Sequence, residues 1–227
     1  MSIDPYTVGF QPPDETQTMM TLAFEACEAA GVSIPAEVLA YFDLDATFNR
    51  TFESVSDIIC LPKYRAKVLW EAAIACNEIP GKVAEVGSYR GGSAKLIAAA
   101  MPDKVLCLFD TFEGVPKQEL SEAERALDFS ETSEEKVKKL LGDHQVFTYK
   151  GVFPETAKGL EQTTFCLLHI DCDIYKTAKA CMEYFYPRME VGGKIVVDDF
   201  RHELHPRVDR AVLEYFQWQA VITKAQI

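Results

Sequence analysis

The chain has 227 residues, 48% hydrophobic and 26% charged, with a formal net charge of −12. That length suits one domain with a substantial core, and the acidity argues against a nucleic acid or an anionic membrane surface as partner while tolerating a bound cation. Seven cysteines, an odd number set mostly in apolar runs such as AAIAC, VLCLF and TFCLL, point to reduced, buried thiols rather than a disulfide framework. The N-terminus MSIDPYTVGFQPPDE lacks the basic flank and apolar core of a signal peptide, and no apolar run is long enough for a membrane span. A cytoplasmic, soluble protein is the expectation.

Residues 1–13 read as a loose arm, because QPP forbids regular helix. From Asp14, DETQTMMTLAFEACEAAG predicts a helix that stops at Gly31, and IPAEVLAYF a second, shorter one. A third is expected over Pro62 to Asn77, where Val68, Leu69, Ala72, Ala73 and Cys76 recur at helical spacing. After Gly81 the texture changes to alternating strand and helix. The expected strands are KVAEVG, KVLCLFD, QVFTYKG, TTFCLLHID and GGKIVVDD. Between and after them come helices in GGSAKLIAAAM, SEEKVKKLL (with Ser133 as its cap), PETAKGL, YKTAKACMEYFYPRM and PRVDRAVLEYFQWQ, and AVITKAQI is read as one further strand. The strands are apolar without strict alternation, as strands covered on both faces are. The fold expected is therefore α/β: a doubly wound, mostly parallel Rossmann-like sheet over residues 79–227, with an N-terminal helical extension over residues 1–78.

In such a sheet ligands bind beyond the carboxyl ends of the strands. The first strand delivers EVGSYRGGS there, in which Gly87 permits a tight turn and Gly91 and Gly92 let backbone approach a ligand at a helix N-terminus. This is not GxGxxG, since Glu85 stands two residues before Gly87, which argues against a nicotinamide-dependent dehydrogenase. The second strand ends in Asp110, suited to accept the hydroxyl protons of a ribose. The fourth and fifth end in Asp171 and Asp173 (HIDCDIY) and in Asp198 and Asp199 (VVDDF). Four carboxylates behind apolar strands are costly unless the tips reach solvent or a cation sits between them. A hard divalent ion such as Mg²⁺ takes ligands of this kind.

Together, VAEVGSYRGGSA, LFDTFEGVP, YKGVFPET, LLHIDCDIYKT and GGKIVVDDF resemble the macrocin O-methyltransferase (TylF-like) family, over about residues 80–216 and in the same order. The first segment is similar to motif I of the class I S-adenosylmethionine methyltransferases. The resemblance implies an S-adenosyl-L-methionine- and Mg²⁺-dependent O-methyltransferase acting on a hydroxyl of a small metabolite, a sugar-bearing natural product in the first instance and a catechol or other phenol in the second. A non-catalytic relative that only binds the cofactor is a third reading, against which the intact aspartates speak. By position, the resemblance implies cofactor contacts from Glu85, Gly87, Ser88, Tyr89, Ser93, Asp110, Thr111 and Gly151. It implies metal ligands at Asp171, Asp198 and Asp199, with Asp173 as general base beside Asp171. The family's N-terminal region closes the substrate site and forms oligomers, and the same is expected of residues 1–78. After RAVLEYF the chain departs from the family pattern, because too little sequence follows for a closing hairpin.

The remaining motifs carry weaker expectations. Glu113 to Ser130, broken by Pro116, is expected to cover the strand tips. His169 reads as a satisfied core histidine, YRAK at Tyr64 to Lys67 as surface, and HELH at His202 to His205 as loop, since its histidines lack zinc-helix spacing.

Overall fold

The computed structural model describes residues 45–117, 128–198, 200 and 208–225, with side chains to residue 216. The helices expected before Asp45, Asp199, and the HELH stretch lie outside the described residues. Helices α1 (Ala46–Val55) and α2 (Lys63–Ala75) precede an alternating series. The series runs β1 (Lys82–Val86), α3 (Gly92–Ala100), β2 (Leu106–Asp110), α4 (Glu134–Leu141), β3 (Val146–Lys150), β4 (Phe165–Ile170), α5 (Tyr175–Phe185), β5 (Met189–Val197) and α6 (Val208–Ala225). Among the described residues the five strands form one sheet in the order β3-β2-β1-β4-β5, and every pairing is parallel.

Successive strand residues point to opposite faces, and both faces are covered. Val83, Leu106, Leu108 and Leu167 pack with Phe48 of α1, Leu69 and Trp70 of α2, Leu96 and Ile97 of α3 and Val137 of α4. Their neighbours Ala84, Cys107, Phe109 and Leu168 pack on the other side with Cys181, Met182 and Phe185 of α5 and Ala211 of α6. Burial on both faces explains the unbroken apolar runs of β1, β2 and β4, which leave only Lys82 and Asp110, at their two ends, incompletely buried. Ser133 caps α4 as expected, its hydroxyl accepting from the Lys136 N–H.

Two expectations are corrected. AVITKAQI does not form a strand: α6 continues through Ala225, since nothing from Val208 onward is a glycine or proline that would break it. YRAK is not surface either, for Tyr64, Ala66 and Lys67 are buried. Their helix lies against α3 and the sheet, so its first turn faces inward.

Helix α1 turns Phe48, Phe52 and Val55 toward the core at helical spacing, and a cap defines its start. The Asp45 carboxylate accepts from the N–H groups of Thr47 and Phe48, and also from the Trp70 indole at 2.8 Å and Lys67 at 3.3 Å on α2. Burial alone would raise the Asp45 carboxyl; the Phe48 N–H, the indole and the ammonium outweigh it and hold the group below its ordinary 3.8. A carboxyl depressed on folding stabilises fully above its unfolded pKa and loses that contribution as pH falls through the folded value. Asp45→Ala is therefore expected to lower the unfolding free energy by about 1–2 kcal/mol at neutral pH. Urea titrations across pH should show the gap to wild type closing once pH drops below 3.8.

Candidate functional site

The strand order places the switch point between β1 and β4, whose following helices α3 and α5 leave to opposite faces of the sheet. Hydrogen bonds extend the ladder by one residue at each tip. Gly151 N–H donates to Asp110 O, Gly87 N–H to Phe109 O, Asp171 N–H to Val86 O and Asp198 N–H to Ile170 O, all between 2.9 and 3.0 Å. These four bonds join the five strand tips in a row above the crevice.

A cavity of about 380 Å³ opens over this row. Gly87, Ser88, Tyr89, Ser93, Asp110, Thr111, Gly151, Asp171, Asp173 and Asp198 all line it. The fold therefore brings together, from five strand ends, nearly every residue singled out in the sequence. Its far wall is the segment Ile58 to Arg65, joined by Val115, Pro116 and Phe129. That wall carried no sequence motif; its one pointer was Pro62, which ends the preceding extended segment and caps α2. Of Glu113 to Ser130, residues 118–127 lie outside the described residues, and both flanks reach the cavity.

The turn after β1 is shaped by close backbone approach. Gly87 has φ of +92°, and a Cβ there would sit 1.8 Å from the Asp171 carbonyl oxygen. Tyr89 and Gly91 follow with φ of +45° and +85°, and α3 then starts at Gly92. Asp110 holds this turn: its Oδ2 accepts from the N–H groups of Ser88 at 2.7 Å and Tyr89 at 2.8 Å, and its Oδ1 from Phe112 at 2.7 Å. Burial pushes the Asp110 carboxyl up, with the Glu85 charge adding to it, and the three N–H groups pull back only in part. The Ser88 hydroxyl, buried in the cavity wall, has no hydrogen-bond partner among the described residues, so it is available to a polar ligand.

Glu85 stands apart from the other sequence candidates. It is fully buried and does not line the cavity. It lies beside His169 in the β1–β4 register, and its Oε1 is 2.9 Å from His169 Nδ1. One carboxylate oxygen is thus committed to the sheet interior, and His169 is the satisfied core histidine expected.

The acidic tips converge. Asp171, Asp173 and Asp198 share the cavity, and Asp173 has φ of +60°. Burial raises the Cys60 thiol on the opposite wall; the charges of all three carboxylates push the same way, and Arg90 opposes them. Arg65 reaches across from α2, with Nη1 3.5 Å from Asp198 Oδ2 and 3.4 Å from the Asp198 carbonyl oxygen. An all-oxygen donor set of this kind suits a hard divalent cation. Among the described residues, no group of three or more His, Cys, Asp or Glu side chains is arranged to hold a metal ion, and the expected third ligand, Asp199, lies outside them.

Gly87→Ala tests the crevice geometry. Its methyl meets backbone, which cannot swing away, in a conformation disfavoured for alanine. Chemical denaturation is expected to show a loss of about 3 kcal/mol.

The macrocin-O-methyltransferase (TylF) family profile matches residues 64–226. Demethyldecarbamoylnovobiocin O-methyltransferase of Streptomyces niveus is 29% identical over 160 residues, covering 61% of this chain and 59% of that one. Mycinamicin III 3''-O-methyltransferase of Micromonospora griseorubida is 28% identical over 158 residues, covering 60% and 61%. The chain spans about three fifths of the length of these curated relatives. Among solved structures, the O-methyltransferase NovP superposes with a TM-score of 0.59 at 24% identity, covering 69% of this chain and 72% of its own.

Proposed function

The chain belongs to the macrocin O-methyltransferase family, and from that premise we propose that it is an S-adenosyl-L-methionine- and Mg²⁺-dependent O-methyltransferase. Its acceptor is a hydroxyl of a small metabolite, and we infer a sugar-bearing natural product. The observation that carries the reading is the meeting, on one cavity, of a glycine turn held by Asp110 with the carboxylates of Asp171, Asp173 and Asp198. The activities of the two curated relatives, both O-methylations of natural products, support the acceptor class.

Each residue then has a task. Gly87, Ser88, Tyr89 and Ser93, at the N-terminal approach to α3, form the floor for the methionyl portion. The unpartnered Ser88 hydroxyl offers a hydrogen bond there, and Glu85 acts from beneath the turn rather than by direct contact. Asp110 holds the turn with two of its accepted N–H bonds, and with Thr111 and Gly151 it faces the nucleoside. Asp171 and Asp198, with Asp199, would hold the divalent ion. When bound, S-adenosylmethionine supplies an activated methyl and Mg²⁺ a positive charge that makes an aliphatic hydroxyl easier to deprotonate. Asp173 accepts the hydroxyl proton at a carboxylate oxygen. The wall from Ile58 to Arg65, together with Phe129, excludes water and orients the acceptor, a contribution that near-ideal alignment raises to roughly 7–11 kcal/mol. The protein works in the cytoplasm, with residues 79–227 as the catalytic unit and residues 1–78 closing the site and mediating self-association.

Calorimetric titration of S-adenosylhomocysteine, with and without Mg²⁺, tests the cofactor class. Wild type is expected to bind, and Asp110→Ala to bind at least about tenfold more weakly through the lost turn contacts. Absence of binding by wild type would overturn the reading. For the chemistry, Asp173→Asn is expected to retain S-adenosylhomocysteine affinity while methyl transfer to a hydroxylated acceptor falls about 10²–10⁴-fold; unchanged turnover would remove Asp173 from the role of base.

A further inference from the structure

We propose that Arg65 is the resident counter-cation of the acidic strand tips: its guanidinium occupies Asp198 until a divalent ion takes its place, and it thereby sets how tightly the site binds metal. The inference rests on the reading that Asp171 and Asp198 hold such an ion.

Three carboxylates share one cavity at the ends of β4 and β5, and clustered like charges in a partly desolvated site repel unless something positive neutralises them. At Asp198, Arg65 supplies such a charge. Its Nη1 is within 3.5 Å of Asp198 Oδ2, and both side chains are largely shielded, at 24% and 12% exposure. The same nitrogen lies 3.4 Å from the Asp198 carbonyl oxygen. A guanidinium keeps its charge at any physiological pH, so the pairing does not switch off by itself. Only a competitor for the carboxylate can release it.

The placement of Arg65 permits exchange. Its backbone is fixed, because Ala66 and Leu69 on the same helix are fully in the core. Its side chain is long and approaches from the wall opposite the strand tips, so the head can swing into the open cavity while the helix stays in place. Asp198, by contrast, is tied into the ladder through its N–H to Ile170. A cation arriving between the tips therefore meets a ligand that stays and a guanidinium that leaves. A salt bridge with a merely structural role predicts that breaking it weakens everything around it. Competition predicts the opposite sign for metal binding, because removing the resident charge leaves the carboxylates to the incoming ion.

Mn²⁺, followed by electron paramagnetic resonance of the free ion, is the probe, with no nucleoside present. Arg65→Gln is expected to bind Mn²⁺ about three- to tenfold more tightly than wild type, the worth of a partly exposed ion pair. Arg65→Lys, which keeps the charge, should stay within about twofold of wild type. In wild type itself, the Arg65 Nε–H resonance is expected to shift when diamagnetic Mg²⁺ is added; this readout needs no variant and serves if Arg65→Gln does not fold. Equal or weaker Mn²⁺ binding by a folded Arg65→Gln, or an Nε–H resonance unmoved by saturating Mg²⁺, overturns the role of Arg65 and leaves the metal reading standing. No Mn²⁺ binding by either wild type or variant overturns both. Binding by Arg65→Gln alone would support Arg65 as the stronger competitor.

Discussion

The closeness of two backbones, at the point where β1 and β4 run side by side and their helices part to opposite faces, is the constraint on which the site depends. Gly87 and the Asp171 carbonyl are in such contact that no side chain fits between them. Because the chain after β1 has to turn there without a Cβ, it passes into the positive-φ conformations of Tyr89 and Gly91 and enters α3 with its first N–H groups over the crevice. The same closeness sets Asp171 directly beside the glycine turn. The glycine turn and the acidic end of the cavity are therefore parts of one junction.

Charge is distributed across that junction unequally. Asp110, Asp171, Asp173 and Asp198 all face the cavity, while the cations on its lining are Arg65 and Arg90 among the described residues. Asp110 is held by backbone dipoles, three N–H groups at 2.7 to 2.8 Å that offset part of its burial. Arg90 is drawn away toward Glu131. Over β4 and β5 stand three carboxylates with the Arg65 guanidinium paired to Asp198, whereas the Glu85–His169 pair is sealed inside the sheet.

The legible parts of this protein were those carried by short-range rules. Apolar runs ending in aspartate identified β2, β4 and β5, and the apolar run of β1 was read with the glycine cluster that follows it, because backbone sterics and two-faced burial leave few other uses for such sequences. Illegible were features set by partners distant in sequence. Helix α1 depends on Asp45 reaching Trp70 and Lys67, which no local pattern discloses. The inward aspect of Tyr64 and Arg65 depends on how α2 lies on α3. Glu85 had the right spacing for a ligand contact, yet its direction was decided by the register that puts His169 alongside. The end of α6 was misread as a strand because AVIT is rich in β-branched residues, whereas the helix runs on through Ala225 with no glycine or proline to end it.

One contact bears on how a site like this diversifies. A Cβ on Gly92 would lie 2.7 Å from the Cα and Cβ of Ile59, so the first turn of α3 rests directly against the wall formed by residues 58–65. That wall's main chain is thus indexed to the glycine turn and the start of α3. Leu61 and Tyr64 are buried and share that constraint, whereas Ile58 and Cys60 are not buried and line the cavity. On the proposed reading, a change of acceptor would fall on those freer side chains, with the spacing between the glycine turn and the wall's main chain inherited unchanged.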